Sequence, residues 1–189
     1  LLHAIHIIER NEGAPLAPRA TFAGTSEVGV LTVTSDASGH DGCGGYAFAQ
    51  EAPLEPLLVS AAWPPDIVAA LTESKKREGE RTAGAPMLSM PAAELFTGWA
   101  VVEAARDAAA VEGGIRAVVA VGDCEPAAAA LNAASSPTPQ IDALLAAARE
   151  VTRQWLGVAI PREWNVDADR LSHPAQLPEV LADAVAAGL

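Results

Sequence analysis

A chain of 189 residues, half of them hydrophobic and only 19% charged, has material for one buried core and excludes wholesale disorder. Its formal net charge of −12 excludes a nucleic-acid binder that works by basic charge alone, but not one that meets phosphate through metal ions held by carboxylates. Two cysteines, Cys43 and Cys124, in no zinc spacing, exclude a disulfide framework and fit a reducing setting, cytoplasm or nucleus. No apolar run approaches the roughly 18 residues of a membrane span, so no membrane partner is expected.

Residues 1–26, with Gly13, Pro15, Pro18 and Gly24, read as a lead-in segment or the tail of a preceding domain. The first residue is not Met, and the expectation is a chain cut from something longer, its domain running from 27 to 189. Val28 to Thr34 is a β-branched run and predicts a strand. The polar turn Asp36–Gly42 leads into Gly44–Ala49, which predicts a second strand and therefore a hairpin. Leu57–Trp63 reads as a third strand, giving an antiparallel meander. After Trp63-Pro64-Pro65 comes the only dense basic run, Lys75, Lys76, Arg77 and Arg81. Leu95, Trp99 and Val102 recur at helical spacing behind Pro91, predicting a helix over 91–110 that Gly113-Gly114 ends. Ile115–Val121 is a nearly continuous apolar strand of the kind buried on both faces. Helices over 125–134 and 141–156, a short strand over 158–160, and terminal helices over 167–173 and 179–187 complete the order. Three strands followed by alternating helices and strands indicate an α/β domain with a mixed sheet and helices on its faces.

Asp36 and Asp123 stand at the ends of two apolar strands, Glu94 in the first turns of the long helix and Asp169 at the start of a late one. A carboxylate beside a core is costly to desolvate unless it is paired or metal-bound. If the first and fourth strands are neighbours, Asp36 and Asp123 converge, with Glu94 and Asp169 in bridging reach. Such a set suits divalent cations that align an attack on a phosphodiester. Taken singly, each acid reads better as an ordinary turn or helix cap, or as a Glu favoured by the helix dipole.

Thr34-Ser35-Asp36-Ala37-Ser38 with Gly44-Gly45-Tyr46, Pro91 to Leu95 around Glu94, and Val121-Gly122-Asp123 resemble the ribonuclease H domain of retroelement reverse transcriptases. Pro161-Arg162-Glu163-Trp164-Asn165, then Ala168-Asp169-Arg170-Leu171-Ser172, resembles that family's closing loop and helix. The resemblance spans about Val28 to His173. It implies a five-stranded mixed sheet with its first three strands antiparallel, and an endonuclease cutting the RNA strand of RNA–DNA hybrids. It also implies two ions, Mg2+ or Mn2+, held by Asp36, Glu94, Asp123 and Asp169, and an attached or associated polymerase domain. Asp167 competes with Asp169, but the register favours Asp169. The segment 64–90 is longer than a compact member of the family needs.

Ser38, Lys75, Lys76, Arg77, Arg162 and Trp164 are the candidates for substrate contact. A solvated basic loop, surface ion pairs and ordinary packing are the competing readings. A catalytically silent module of the same fold, kept as a scaffold, is the alternative function.

Overall fold

β-branched and apolar runs become five strands, in the order in which they occur. The structure, a computed structural model, describes residues 28–49, 57–109 and 115–186. The strands are β1 (Val28–Ala37), β2 (Gly42–Ala49), β3 (Leu57–Ala62), β4 (Ile115–Gly122) and β5 (Trp155–Ala159). The helices are α1 (Pro65–Lys75), α2 (Met90–Ala109), α3 (Glu125–Ala133), α4 (Pro139–Val151), α5 (Val166–Leu171) and α6 (Leu177–Ala186). The sheet order is β3-β2-β1-β4-β5. β1–β2 and β2–β3 pair antiparallel; β1–β4 and β4–β5 pair parallel. The mixed sheet expected from the order of elements is the one observed. The lead-in over residues 1–26 lies outside the described residues, as does Gly113-Gly114. No described helix is long and apolar enough to cross a membrane.

Alternation along β1 sorts its side chains between two faces. Leu31 and Val33 enter the main core with Ala47, Val59, Val101, Val102 and Val118, against α2. Val33, Val101, Val102 and Val118 are fully buried. Each such side chain contributes about 1.5–3 kcal/mol relative to exposure, so a one-residue slip of β1 would forfeit several at once. On the other face, Leu58 packs with Leu171, Leu177 and Val180 from α5 and α6. Gly44 permits the approach of α5, because a Cβ there would lie 2.2 Å from the carbonyl oxygen of Leu171.

The structure differs from the sequence reading at several points. β1 runs through Asp36 to Ala37, so the turn is only Ser38–Asp41, closed by Ser38 N–H donating to Gly42 O at 2.9 Å. The segment 64–90 holds α1, whose Ile67, Val68 and Leu71 pack with Trp63, Leu88 and Phe96. α4 stops at Val151, and β5 begins at Trp155. Thr152 turns extended there, its hydroxyl donates to Arg116 O at 2.7 Å, and the Trp155 indole donates to Ala148 O at 2.9 Å. β4 is not buried on both faces: Ile115 and Val118 are buried, while Ala117, Val119 and Val121 are half-buried. α5 lies over β1, β2 and β3, and the outward face of β4–β5 stays partly open, with Leu156 53% exposed.

Candidate metal centre

The parallel pairing Thr34↔Val121 carries two residues further to bring Asp36 opposite Asp123, just past the end of β4. α2 crosses β1 with Glu94 in its second turn. Asp36, Glu94 and Asp123 each offer a carboxylate oxygen, and these oxygens lie within 4.8 Å of one another. Asp36 is buried; Glu94 and Asp123 are half-buried. Asp169, on α5, lies outside that group, its Oδ1 3.3 Å from Arg162 Nη2. Asp167, one turn position away, is exposed.

Crowding shows in the protonation of the acids. Burial pushes Glu94 up to about 9, with the charges of Asp36 and Asp123 adding to it. Burial also raises Asp36 above the ordinary carboxylate value; the Ser172 hydroxyl works against this, and the charges of Asp123 and Asp169 add to it. Without a cation, burial favours the neutral form of Glu94. The trio's donor set is all oxygen and all carboxylate, and neither Asp36 nor Glu94 has a salt-bridge partner among the described residues. That chemistry fits a hard divalent ion such as Mg2+ or Mn2+ and fits no thiophilic metal.

The other candidates divide. Arg162, 78% exposed, reaches Asp123 Oδ2 at 4.0 Å through Nε as well as Asp169. Trp164 is 73% exposed on the same loop, a short 3-10 turn over Arg162–Trp164, and so lies free at the rim rather than packed. Ser38 is buried and committed to the turn: its Oγ accepts from the N–H groups of His40 at 3.3 Å and Asp41 at 3.1 Å. Trp63 holds the same turn, its indole donating to Ser38 O at 2.7 Å. Lys76 Nζ donates to Glu73 Oε2 at 2.5 Å, whereas Lys75 and Arg77 are exposed with no ion pair among the described residues. Lys75 Nζ lies over the β1–β2 turn, 2.2 Å from where a Cβ on Gly39 would stand.

Asn165 escapes sequence reasoning as a site residue. It is 1% exposed, and its Nδ2 donates to Ser35 O at 3.2 Å and reaches Asp36 Oδ1 at 3.5 Å. It therefore joins the closing loop to the strand end that carries Asp36. In the sequence it appears only as the last residue of the closing-loop motif, four residues before Asp169. Asn165→Ala should lower unfolding stability by about 1–3 kcal/mol in urea melts, because a buried carbonyl and carboxylate each lose a donor.

No family model matches the chain, and no curated protein does. Among solved structures, it is similar to the N-terminal RNase H domain of a Mycobacterium tuberculosis protein, solved as a fusion with maltose-binding protein. That match has 15% identity and a TM-score of 0.50, and covers 75% of this chain and 95% of that one. RNase H1 from the halophilic archaeon Halobacterium salinarum matches at 18% identity and a TM-score of 0.47, over 83% of this chain and 98% of that one. The five-stranded mixed sheet, its strand order and its flanking helices are those of the ribonuclease H-like fold.

Proposed function

We propose that this domain is a metal-dependent endonuclease that cleaves the RNA strand of RNA–DNA hybrids, and that it derives from a retroelement reverse transcriptase, working beside a polymerase domain. The observation that carries the reading is the convergence of Asp36, Glu94 and Asp123 within 4.8 Å at the ends of two adjacent strands of a ribonuclease H-like sheet. The motif resemblance around Asp36 and Asp169 supports the substrate class.

Asp36, Glu94 and Asp123 would hold divalent ions, with Asp169 completing a second position. When bound, two such ions supply charge neutralisation at the phosphodiester and a nucleophile at neutral pH. The chain's own residues set the frame. Asp36 is held by its pairing with Gly44 of β2, and Asp123 follows directly from β4, whose ladder with β1 ends at Thr34–Val121. Asn165 holds the loop against Asp36, and the packing of α2 across β1 keeps Glu94 largely out of bulk water. Arg162 reaches the acids from the loop as a cation for phosphate, and Trp164, exposed on the same loop, offers a flat apolar face for sugar or base.

The test is incubation of the chain with labelled hybrid, RNA duplex and DNA duplex, with and without Mg2+ or Mn2+. RNA cleavage confined to the hybrid and dependent on metal is expected. A chain that binds metal and cuts none of the three would favour the silent scaffold.

Substrate affinity has a separate signature. α1 ends at Lys75, and Glu73 ties the following loop down by accepting from Lys76 and from the Thr82 N–H. Lys75 and Arg77, which have no ion pair among the described residues, are thereby presented beside a folded element. Gly39, which Lys75 covers, follows Asp36 by three residues, at most roughly 10 Å of extended chain from the acid. Lys75→Ala with Arg77→Ala should weaken hybrid binding and flatten the slope of log affinity against log salt by about 1–2. Affinities measured across a salt series check this.

A further inference from the structure

We infer that Arg162 is a built-in counter-cation that competes with divalent metal for the acid group and is released toward substrate phosphate when metal binds. The inference rests on the reading of Asp36, Glu94 and Asp123 as a metal centre. The Arg162 side chain is 78% exposed, free to point into water, yet its guanidinium turns back over the carboxylates. Nη2 stands 3.3 Å from Asp169 Oδ1, and Nε stands 4.0 Å from Asp123 Oδ2. These two acids come from different elements, one following β4 and one on α5. Among the described residues, each has Arg162 as its salt-bridge partner and no other.

An arginine loses appreciable rotamer freedom when it is held in one position. Here the potential of four neighbouring carboxylates supplies the reason to stay. The Arg162 charge in turn lowers the proton affinity of both Asp36 and Glu94, so its field covers the whole group. A divalent ion brings two charges where the guanidinium brings one, and it would draw on the same Asp123 carboxylate that Nε approaches. The two cations therefore oppose each other. By linkage, whatever Arg162 contributes to the metal-free state is subtracted from metal affinity.

The loop itself need not move for the exchange. Ile160 N–H donates to Gly122 O at 2.9 Å, and Asn165 donates to Ser35 O, so both ends of the turn stay fastened to the sheet. Only the arginine side chain swings. Its planar fork, freed at the rim next to Trp164, then suits bidentate contact with a backbone phosphate.

The test compares the parent chain, Arg162→Gln and a charge-matched control, Arg153→Gln. Arg153 is exposed just before the start of β5, at the strand end opposite the acids. Calorimetric titration with Mn2+ should show about tenfold tighter binding for Arg162→Gln and no change for Arg153→Gln. The metal-free Arg162→Gln chain should melt earlier than the parent, and the gap should close in saturating Mg2+. Its KM for hybrid should rise by about fivefold although its metal affinity has improved. A metal affinity that is unchanged or weaker in Arg162→Gln overturns the inference. A parent chain that binds metal but does not cut hybrid defeats the nuclease reading and leaves the titration result standing. A parent chain that binds no divalent ion at millimolar concentration overturns both.

Discussion

Asp36→Asn and Asp123→Asn should each lower metal-dependent hybrid cleavage by about three orders of magnitude or more, while the metal-free protein melts at the same temperature or a few degrees higher. The first effect follows from ligand loss, since Asn keeps the shape but not the charge that a divalent ion needs. The second follows from the crowding of Asp36, Glu94 and Asp123 within 4.8 Å, where removal of one charge relieves repulsion among the others. A purely structural role for Asp36 predicts the reverse pattern: earlier melting, because Asn165 Nδ2 would lose its charged acceptor, with little specific effect on cleavage. Asp169→Asn should be severe and Asp167→Asn mild, because the charge of Asp169 acts on Asp36 while Asp167 is exposed. Single-turnover cleavage and thermal melts on the four variants, read together, separate these outcomes.

Glu94 should make the metal-free protein lose stability as pH rises. Its carboxyl titrates near 4.5 unfolded and is pushed up to about 9 when folded, chiefly by burial. Below pH 4.5 both states carry the proton, and the group contributes no penalty. Between 4.5 and 9 the unfolded chain ionises freely while the folded one resists, so stability falls steadily across that window and levels off above it. At pH 7 the cost is about 3 kcal/mol, a figure that follows from 1.36 kcal/mol per unit over the interval from 4.5 to 7. Glu94→Gln should therefore match the parent at pH 4 and be markedly more stable at pH 8, with metal absent. Saturating Mg2+ should abolish much of the difference, because the ion replaces the proton as the neutralising charge. Urea midpoints against pH, with chelator or with Mg2+, measure both effects. Equal pH dependence in the parent and Glu94→Gln would show that desolvation does not govern Glu94.

What could be read from the sequence was whatever depends on local pattern. The β-branched run at Val28–Thr34, the glycines after it and the apolar run at Ile115–Val121 are strand signals, and their order led to the mixed sheet. Asp36 and Asp123 stood out because each follows such a run. Hidden features depend on partners distant in sequence. Pro64-Pro65 reads as a breaker, yet Pro65 is the first residue of α1, whose apolar side chains are only explained by Leu88 and Phe96. The helical pattern of α4 continues through Leu156, and only the Thr152 contact with Arg116 reveals where it stops. The burial of β4 depends on how far α5 extends across the sheet, which no window of β4 contains. Asn165 looks like any polar loop residue until its amide is seen against Ser35 and Asp36, 130 and 129 positions away. Arg162 was visible as a cation near an acid, but its span from Asp169 to Asp123 is a property of the folded loop alone.

Mn2+ located directly in a crystal tests the central claim, that these carboxylates form a divalent metal centre. Anomalous diffraction from crystals of the full chain grown with Mn2+ should place a peak between the Asp36, Glu94 and Asp123 oxygens, with the Arg162 guanidinium moved off Asp123. The peak should vanish in Asp36→Asn. A parent crystal in which the three carboxylates hold no ion at millimolar Mn2+, or in which the only ordered Mn2+ sits on other acids, would contradict the account.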